Sequence, residues 1–446
     1  MKKPLPCILF ALALCLAMIP SISFGNDVIL LENIIDEALK NNPQLHATED
    51  HIAALDQKAG QASSLPNPML SFGLMNVPVD TFDLDQEAMT QKTIGIMQSF
   101  PFPGKRGLKK EIAEMDVLRS EEDREILKLW IAKEMKKSFY SLYFTNKALE
   151  ITKRNKELLE EFLRIAETKY SVGRGVQQDI LKAQVELSKL LERIISLREK
   201  RNSLKARLNH FMNRLPQLPL GDPGEIRLSE IDISVDQLQQ TLGNEHPLIK
   251  KIQARIDMEK KKLKLAEREY YPDINLSLQY GQREDKGTID RPDFASAMVQ
   301  VKLPIWHKTR EGKKIKEVTA RVSEAENELR FVRSSLNFRI VKLKEEMDRD
   351  HEQALLFKDG IIPQATASLD SAVAGYQVNK VDFLTLLNNQ ITLFKYEIEY
   401  MRAITDHEIT LAEMEEAVGL PIVDWGLWVR IQAQSPNPKL DNEVTQ

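Results

Sequence analysis

Apolar positions along this chain follow two rhythms that alternate in a fixed order. Residues 28–64 carry the spacing of a helix. Leu70, Phe72 and Leu74 then alternate with Ser71 and Gly73, and Ile94 and Ile96 share one side of a second segment. A period of two is the signature of a strand with two unlike faces. From 105 to 170 the helical spacing returns without a proline, long enough to reach about 100 Å at 1.5 Å per residue. A turn, YSVGRGVQQD, leads into a returning helix with apolar residues at Ile180, Ala183, Leu187, Leu190, Ile194, Leu197, Leu204 and Leu208. That three–four spacing predicts a coiled-coil seam.

The same order then recurs. Ile274, Leu276, Leu278 and Tyr280 alternate with Asn275, Ser277 and Gln279, and Ala297, Val299, Val301 and Leu303 alternate with Met298, Gln300 and Lys302. Residues 310–375 predict a second long helix, interrupted at Gly360–Pro363, and YQVNKVDFLT repeats the turn. Pro43, Leu45, Ile52, Ala62 and Pro68 fall 204 positions before Pro247, Ile249, Ile256, Ala266 and Pro272. A period that long exceeds any solenoid unit and marks two copies of a whole substructure. The expected organisation is a first copy over 26–213, a linker over 214–234, a second copy over 235–430 and a loose tail over 431–446.

Composition narrows the setting. The first 25 residues, with Lys2 and Lys3 before an apolar run, read as a secretory signal cleaved after Gly25. Both cysteines, Cys7 and Cys15, lie inside it, so the remaining chain has no disulfide or thiolate chemistry. Leu14 argues against lipidation of Cys15. Without the signal, 60 basic residues face 66 acidic ones, a net charge of −6 that gives no support for nucleic-acid binding. Beyond the signal, no stretch approaches the 18 apolar residues of a spanning helix.

Ten-residue amphipathic strands can nonetheless cross a bilayer when tilted. Four strands cannot close a barrel, and open sheet edges are not tolerated in lipid. Two chains would supply eight strands around a filled interior, whereas three would supply twelve around an open lumen. A periplasmic adaptor would normally carry a single helical hairpin, and a coiled-coil scaffold would leave the strands unexplained.

The segments NNPQL and LPNPML, echoed as EHPLI and YYPDINL, together with YSVGRGVQQDILKAQVEL and YQVNKVDFLTLLNNQITL at the turns, resemble the TolC-like outer-membrane efflux proteins. The resemblance spans about residues 28–420. QSFPFPGKR (98–106) is most similar to the branch serving heavy-metal cation efflux. It implies an α+β membrane protein: a homotrimer with a 12-stranded β-barrel in the outer membrane, continuous with a long periplasmic α-helical barrel. It further implies an inner-membrane efflux transporter and a periplasmic adaptor as partners, outer-membrane lipid around the barrel, no cofactor and no catalysis.

In that family the helix turns form the periplasmic mouth, and matching puts Asp179 there from the first copy. Thr385 and Asn388 occupy the second copy's corresponding positions, with Asp382 three residues before Thr385, so a double aspartate ring is not expected. Asp179 has two readings: a pore charge, or the N-cap of a helix starting at Ile180. The turns are framed by Tyr170 and Gly173 in one copy and by Tyr376 and Asn379 in the other. The seven histidines form no HExxH-like pair and read as surface or packing residues. Met69, Met75, Met89 and Met97 read as lipid-facing or packing side chains, with thioether binding of Cu(I) the sharper alternative. Asp80–Glu87 reads as an exposed loop.

Overall fold

A computed structural model describes residues 28–229, 233–243, 245–420 and 422. The expected signal with Cys7 and Cys15, and the expected tail, lie outside the described residues. In chain order the elements are β1 (Val28–Ile29), α1 (Leu31–Asn41), α2 (Pro43–Ala62), β2 (Met69–Met75), β3 (Gln91–Phe100), α3 (Lys105–Ser171) and α4 (Gln177–Phe211). They continue as β4 (Asp222–Pro223), α5 (Val235–Leu242), α6 (Pro247–Arg268), β5 (Ile274–Gln282) and β6 (Phe294–Val301). The chain then forms α7 (Glu311–Leu356), a π-turn (Phe357–Ile361), α8 (Ile362–Gln377) and α9 (Phe383–Val418).

Two expectations need correction. The helix read over 28–64 is two helices, because Pro43 has no N–H to extend α1 and Asn42 instead caps α2, accepting from Gln44 N at 2.9 Å. The interruption read at Gly360–Pro363 is a π-turn rather than a break. Pro363 cannot donate to the preceding turn, and Ile362 N–H reaches back five residues to Phe357 O. Asn42 has a counterpart 204 positions on: His246 caps α6, its Nδ1 accepting from Leu248 N at 3.1 Å. The two copies thus keep the cap and change the side chain that makes it.

The described residues form two compact units. One holds residues 28–37, 135–228 and 353–405; the other holds 38–134, 229–243, 245–352, 406–420 and 422. In the first, β1 and β4 pair in parallel, tying Val28 and Ile29 to Asp222 and Pro223. The later part of α3, the start of α4, α8 and the start of α9 enclose a core of Leu159, Phe162, Ala166, Ala183, Leu369, Ala372, Tyr376, Phe383, Leu386 and Leu387. The predicted seam therefore packs one copy's hairpin against the other's.

The second unit holds a four-stranded antiparallel sheet in the order β2-β3-β5-β6, one strand pair from each copy. Register places Leu70 beside Ile96, Ile96 beside Leu278 and Leu278 beside Ala297; Phe72, Ile94, Tyr280 and Ala295 form the next row. This face is apolar, with Phe72 73% and Leu278 52% exposed. The opposite face carries Ser71, Thr93, Gly95, Ser277, Gln279, Ser296 and Gln300. Met69 and Met97 pair across strands on that same face, so of their lipid-facing and packing readings the lipid-facing one does not hold and the packing one stays open. All four helix connections leave from one end of the sheet, and the loops 76–90 and 283–293 close the other.

In the same unit, burial pushes the Glu122 carboxyl up to about 7; neighbouring Glu125, Glu121 and Glu245 add to this and Lys250 opposes it. A raised carboxyl pKa favours the neutral form, so folding carries no penalty below about 4.5. The penalty grows as pH rises and is complete above about 7. Glu122→Gln should therefore stabilise the protein at pH 8 by on the order of 1 kcal/mol, after discounting for partial exposure. It should leave stability unchanged at pH 4, as read by thermal unfolding at both pH values.

Candidate gate at the helix turns

Both turns share one backbone device. In the first copy Gly173 adopts φ +74°, Gly173 N donates to Tyr170 O at 3.0 Å and Arg174 N to Lys169 O at 2.8 Å. In the second, 206 positions on, Asn379 adopts φ +62°, Asn379 N donates to Tyr376 O at 3.2 Å and Lys380 N to Gly375 O at 2.8 Å. A left-handed residue that satisfies the last helix carbonyls needs glycine or asparagine. Gly175 is constrained differently, since a Cβ there would fall 2.9 Å from Tyr170 N.

The copies then diverge. α4 begins at Gln177 after Val176, which provides no side-chain cap. Asp179 therefore sits inside the first helical turn, and the expectation that it caps a helix from Ile180 is wrong. The capping aspartate belongs to the second copy: Asp382 Oδ1 accepts from Thr385 N at 2.7 Å. Freed from capping, the half-buried Asp179 carboxyl is pushed up by burial and by the charge of Asp382, with Lys182 opposing. Asp382 is held down by the hydrogen bond from the Thr385 backbone. Burial and the Asp179 charge raise the Tyr376 hydroxyl.

Asp179, Asp382 and Tyr376 are thus within electrostatic reach of one another, and Thr385 joins them through its bond to Asp382. Asn388 is exposed one turn further along α9, and no contact ties its side chain to this group among the described residues. The framing tyrosines are unequal: Tyr376 is buried against Phe383 with ring centroids 5.7 Å apart, whereas Tyr170 is exposed. Among the described residues, no group of three His, Asp or Glu side chains could hold a metal ion.

Lys169 is a residue that the sequence reading missed. Its Nζ donates to Tyr376 O and, at 2.8 Å, to Asn379 Oδ1, and it lies 3.9 Å from the Tyr376 ring centroid. It ties the first copy's turn to the second's. Its signal is the asymmetry at this position: the matching residue is Gly375, where a Cβ would fall 2.5 Å from Val381 Cγ2. What the site offers is charge and a hydrogen-bonded cross-link between the two turns.

The strand pairs, long helices and turns described above are also found in known proteins. Residues 34–214 match the model described as outer membrane efflux protein. The chain is 22% identical over 377 residues to the cobalt-zinc-cadmium resistance protein CzcC of Cupriavidus metallidurans, covering 84% of this chain and 86% of that protein. Its fold is that of a membrane protein from Pseudomonas aeruginosa (TM-score 0.77, 17% identity, 88% of this chain and 91% of the other). It is likewise that of the outer membrane protein VceC from Vibrio cholerae (TM-score 0.72, 16% identity, 87% and 96%).

Proposed function

We propose that this chain is the outer-membrane exit duct of a tripartite efflux system, receiving substrate from an inner-membrane transporter through a periplasmic adaptor. The observation that carries this reading is the four-stranded sheet, with one exposed apolar face, one polar face and edge strands β2 and β6 whose outer sides pair with nothing among the described residues. An apolar outer face and a polar inner face are what a transmembrane barrel requires, and unpaired edges must be closed in lipid. Three copies close a 12-stranded barrel with an open lumen. Residues 26–213 and 235–430 act as the two copies and 214–234 as their join, so a trimer has six hairpin staves. The chain performs no catalysis; the transporter supplies the work. Similarity to a cobalt-zinc-cadmium resistance protein and the 98–106 segment favour metal cations as cargo.

Membrane fractionation with chemical cross-linking tests the reading. A trimer in the outer-membrane fraction is expected, and a soluble periplasmic monomer would sink it. Deleting the gene should increase sensitivity to divalent metals more than to organic drugs.

Asp179, with Asp382, Thr385 and Asn388 nearby in sequence or space, is the proposed gate. Like charges converging on a narrow mouth favour cations and repel one another. Asp179→Asn should lower cation selectivity and change leak conductance by roughly twofold in planar bilayers. Because burial raises the Asp179 carboxyl, wild-type selectivity should fade on acidification before ordinary carboxylates titrate, and the variant should lack that step. Identical selectivity profiles across pH would remove Asp179 from the gate.

A further inference from the structure

The two copies differ sharply where a strand passes into a long helix. In the first copy, Phe102 stacks on Tyr271 with ring centroids 4.5 Å apart. Lys105 is buried, its Nζ donating to Asp273 Oδ1 and to Tyr271 O at 2.8 Å each. That junction is closed and its charge is neutralised. The second junction, Lys302–Arg310, has the same proline-containing plan and the opposite character. Leu303, Ile305 and Trp306 are 65%, 71% and 76% exposed. Lys302, Lys308 and Arg310 accompany them with no acidic residue between 302 and 310. Among the described residues Lys302 and Lys308 have no carboxylate partner, and Arg310 comes only within 4.0 Å of Glu311.

This segment is ordered rather than splayed at random. Thr309 N and Arg310 N both donate to Trp306 O at 3.0 Å, and Lys302 N donates to Asp273 O at 3.2 Å. Its exposed apolar groups therefore belong to a defined turn at the helix end of the sheet, continuous with the apolar strand face. Tryptophan beside lysine and arginine suits a membrane interface, where the ring sits at headgroup depth and the cations meet phosphates. A second copy closing the barrel along the sheet edge is the competing occupant. The chain entering β2, residues 63–68, contains no acidic residue to neutralise Lys308 and Arg310.

We infer that residues 303–310 form a binding site for anionic phospholipid headgroups at the helix end of the barrel, with Ile305 and Trp306 in the interfacial layer and Lys308 and Arg310 on the phosphates. The inference rests on the outer-membrane reading above.

The test uses the full-length trimer with Trp130, Trp425 and Trp428 changed to Phe, leaving Trp306 as the only tryptophan. It is reconstituted in phosphatidylcholine vesicles containing a minor fraction of brominated lipid. Brominated phosphatidylglycerol should quench Trp306 severalfold more than the same fraction of brominated phosphatidylcholine. Lys308→Gln and Arg310→Gln together should abolish the difference. Equal quenching by both lipids would overturn the anionic preference, and quenching by neither would place Trp306 against protein and overturn the site. A parallel protein carrying Phe72→Trp and Trp306→Phe reports on the strand face alone. If that tryptophan is unquenched, the outer-membrane reading itself fails; if it is quenched while Trp306 shows no bias, only this inference fails.

Discussion

Leu278→Arg is expected to prevent assembly of the trimer in the outer membrane, whereas Gln279→Arg should assemble and alter conductance. The two positions are adjacent, and the pleat sends their side chains to opposite faces of the sheet. Leu278 sits mid-strand in a row with Leu70, Ile96 and Ala297, on the face proposed to meet lipid. An arginine there would be held in hydrocarbon at about 2–4 kcal/mol per chain near the bilayer midplane. Three chains multiply that cost to about 6–12 kcal/mol, comparable to the whole margin by which folded proteins are stable. Gln279 lies with Ser296 and Gly95 on the polar face, where an added cation would be solvated and would reduce cation flux. Heat-modifiable mobility and outer-membrane yield separate the outcomes. If both variants assemble equally, the apolar face is not the lipid face.

Lys169→Met should loosen the joined turns and raise the leak through the duct. The substitution keeps much of the side chain's bulk and removes its hydrogen bonds to Tyr376 O and Asn379 Oδ1 and its charge over the Tyr376 ring. A charge-assisted bond contributes about 1.5–3 kcal/mol and an exposed cation–π contact about 0.5–1 kcal/mol. Solvent access reduces the sum, so a net loss of about 2 kcal/mol is expected, roughly a 30-fold shift from closed toward open turns. Single-channel recording should show the shift as longer open dwell times, with Lys169→Arg restoring most of the wild-type behaviour. Unchanged dwell times in the methionine variant would reduce Lys169 to a packing residue.

The legibility of the site followed the range of the interactions that make it. Gly173 and Asn379 could be read from sequence because a helix end that needs a left-handed residue is a local demand. The cap assignment failed because Asp179 and Asp382 are equally good capping residues on paper. Helix starts at Gln177 and Phe383 decide between them, and those starts depend on how the turns pack. Lys169 was invisible because its acceptors lie 207 and 210 positions away. His246 was read as a surface or packing residue because histidine is an uncommon cap, although its place opposite Asn42 in the other copy was available.

By itself the sequence determined the strands, the long helices, their duplication and the two faces of the sheet. Each of these follows from side-chain periodicity, which acts through near neighbours along the chain. The tertiary structure decided which strand pairs merge into one sheet, that one copy's hairpin shares a core with the other's, and that the copies are unequal at their turns and at their strand-to-helix junctions. Those outcomes depend on contacts between residues some 200 positions apart. Packing gives meaning to the differences between matched positions: Lys169 finds a carbonyl across the turns where its counterpart Gly375 has no room for a Cβ, and Asp179 is left half-buried near the charge of Asp382, which caps the helix of the other turn.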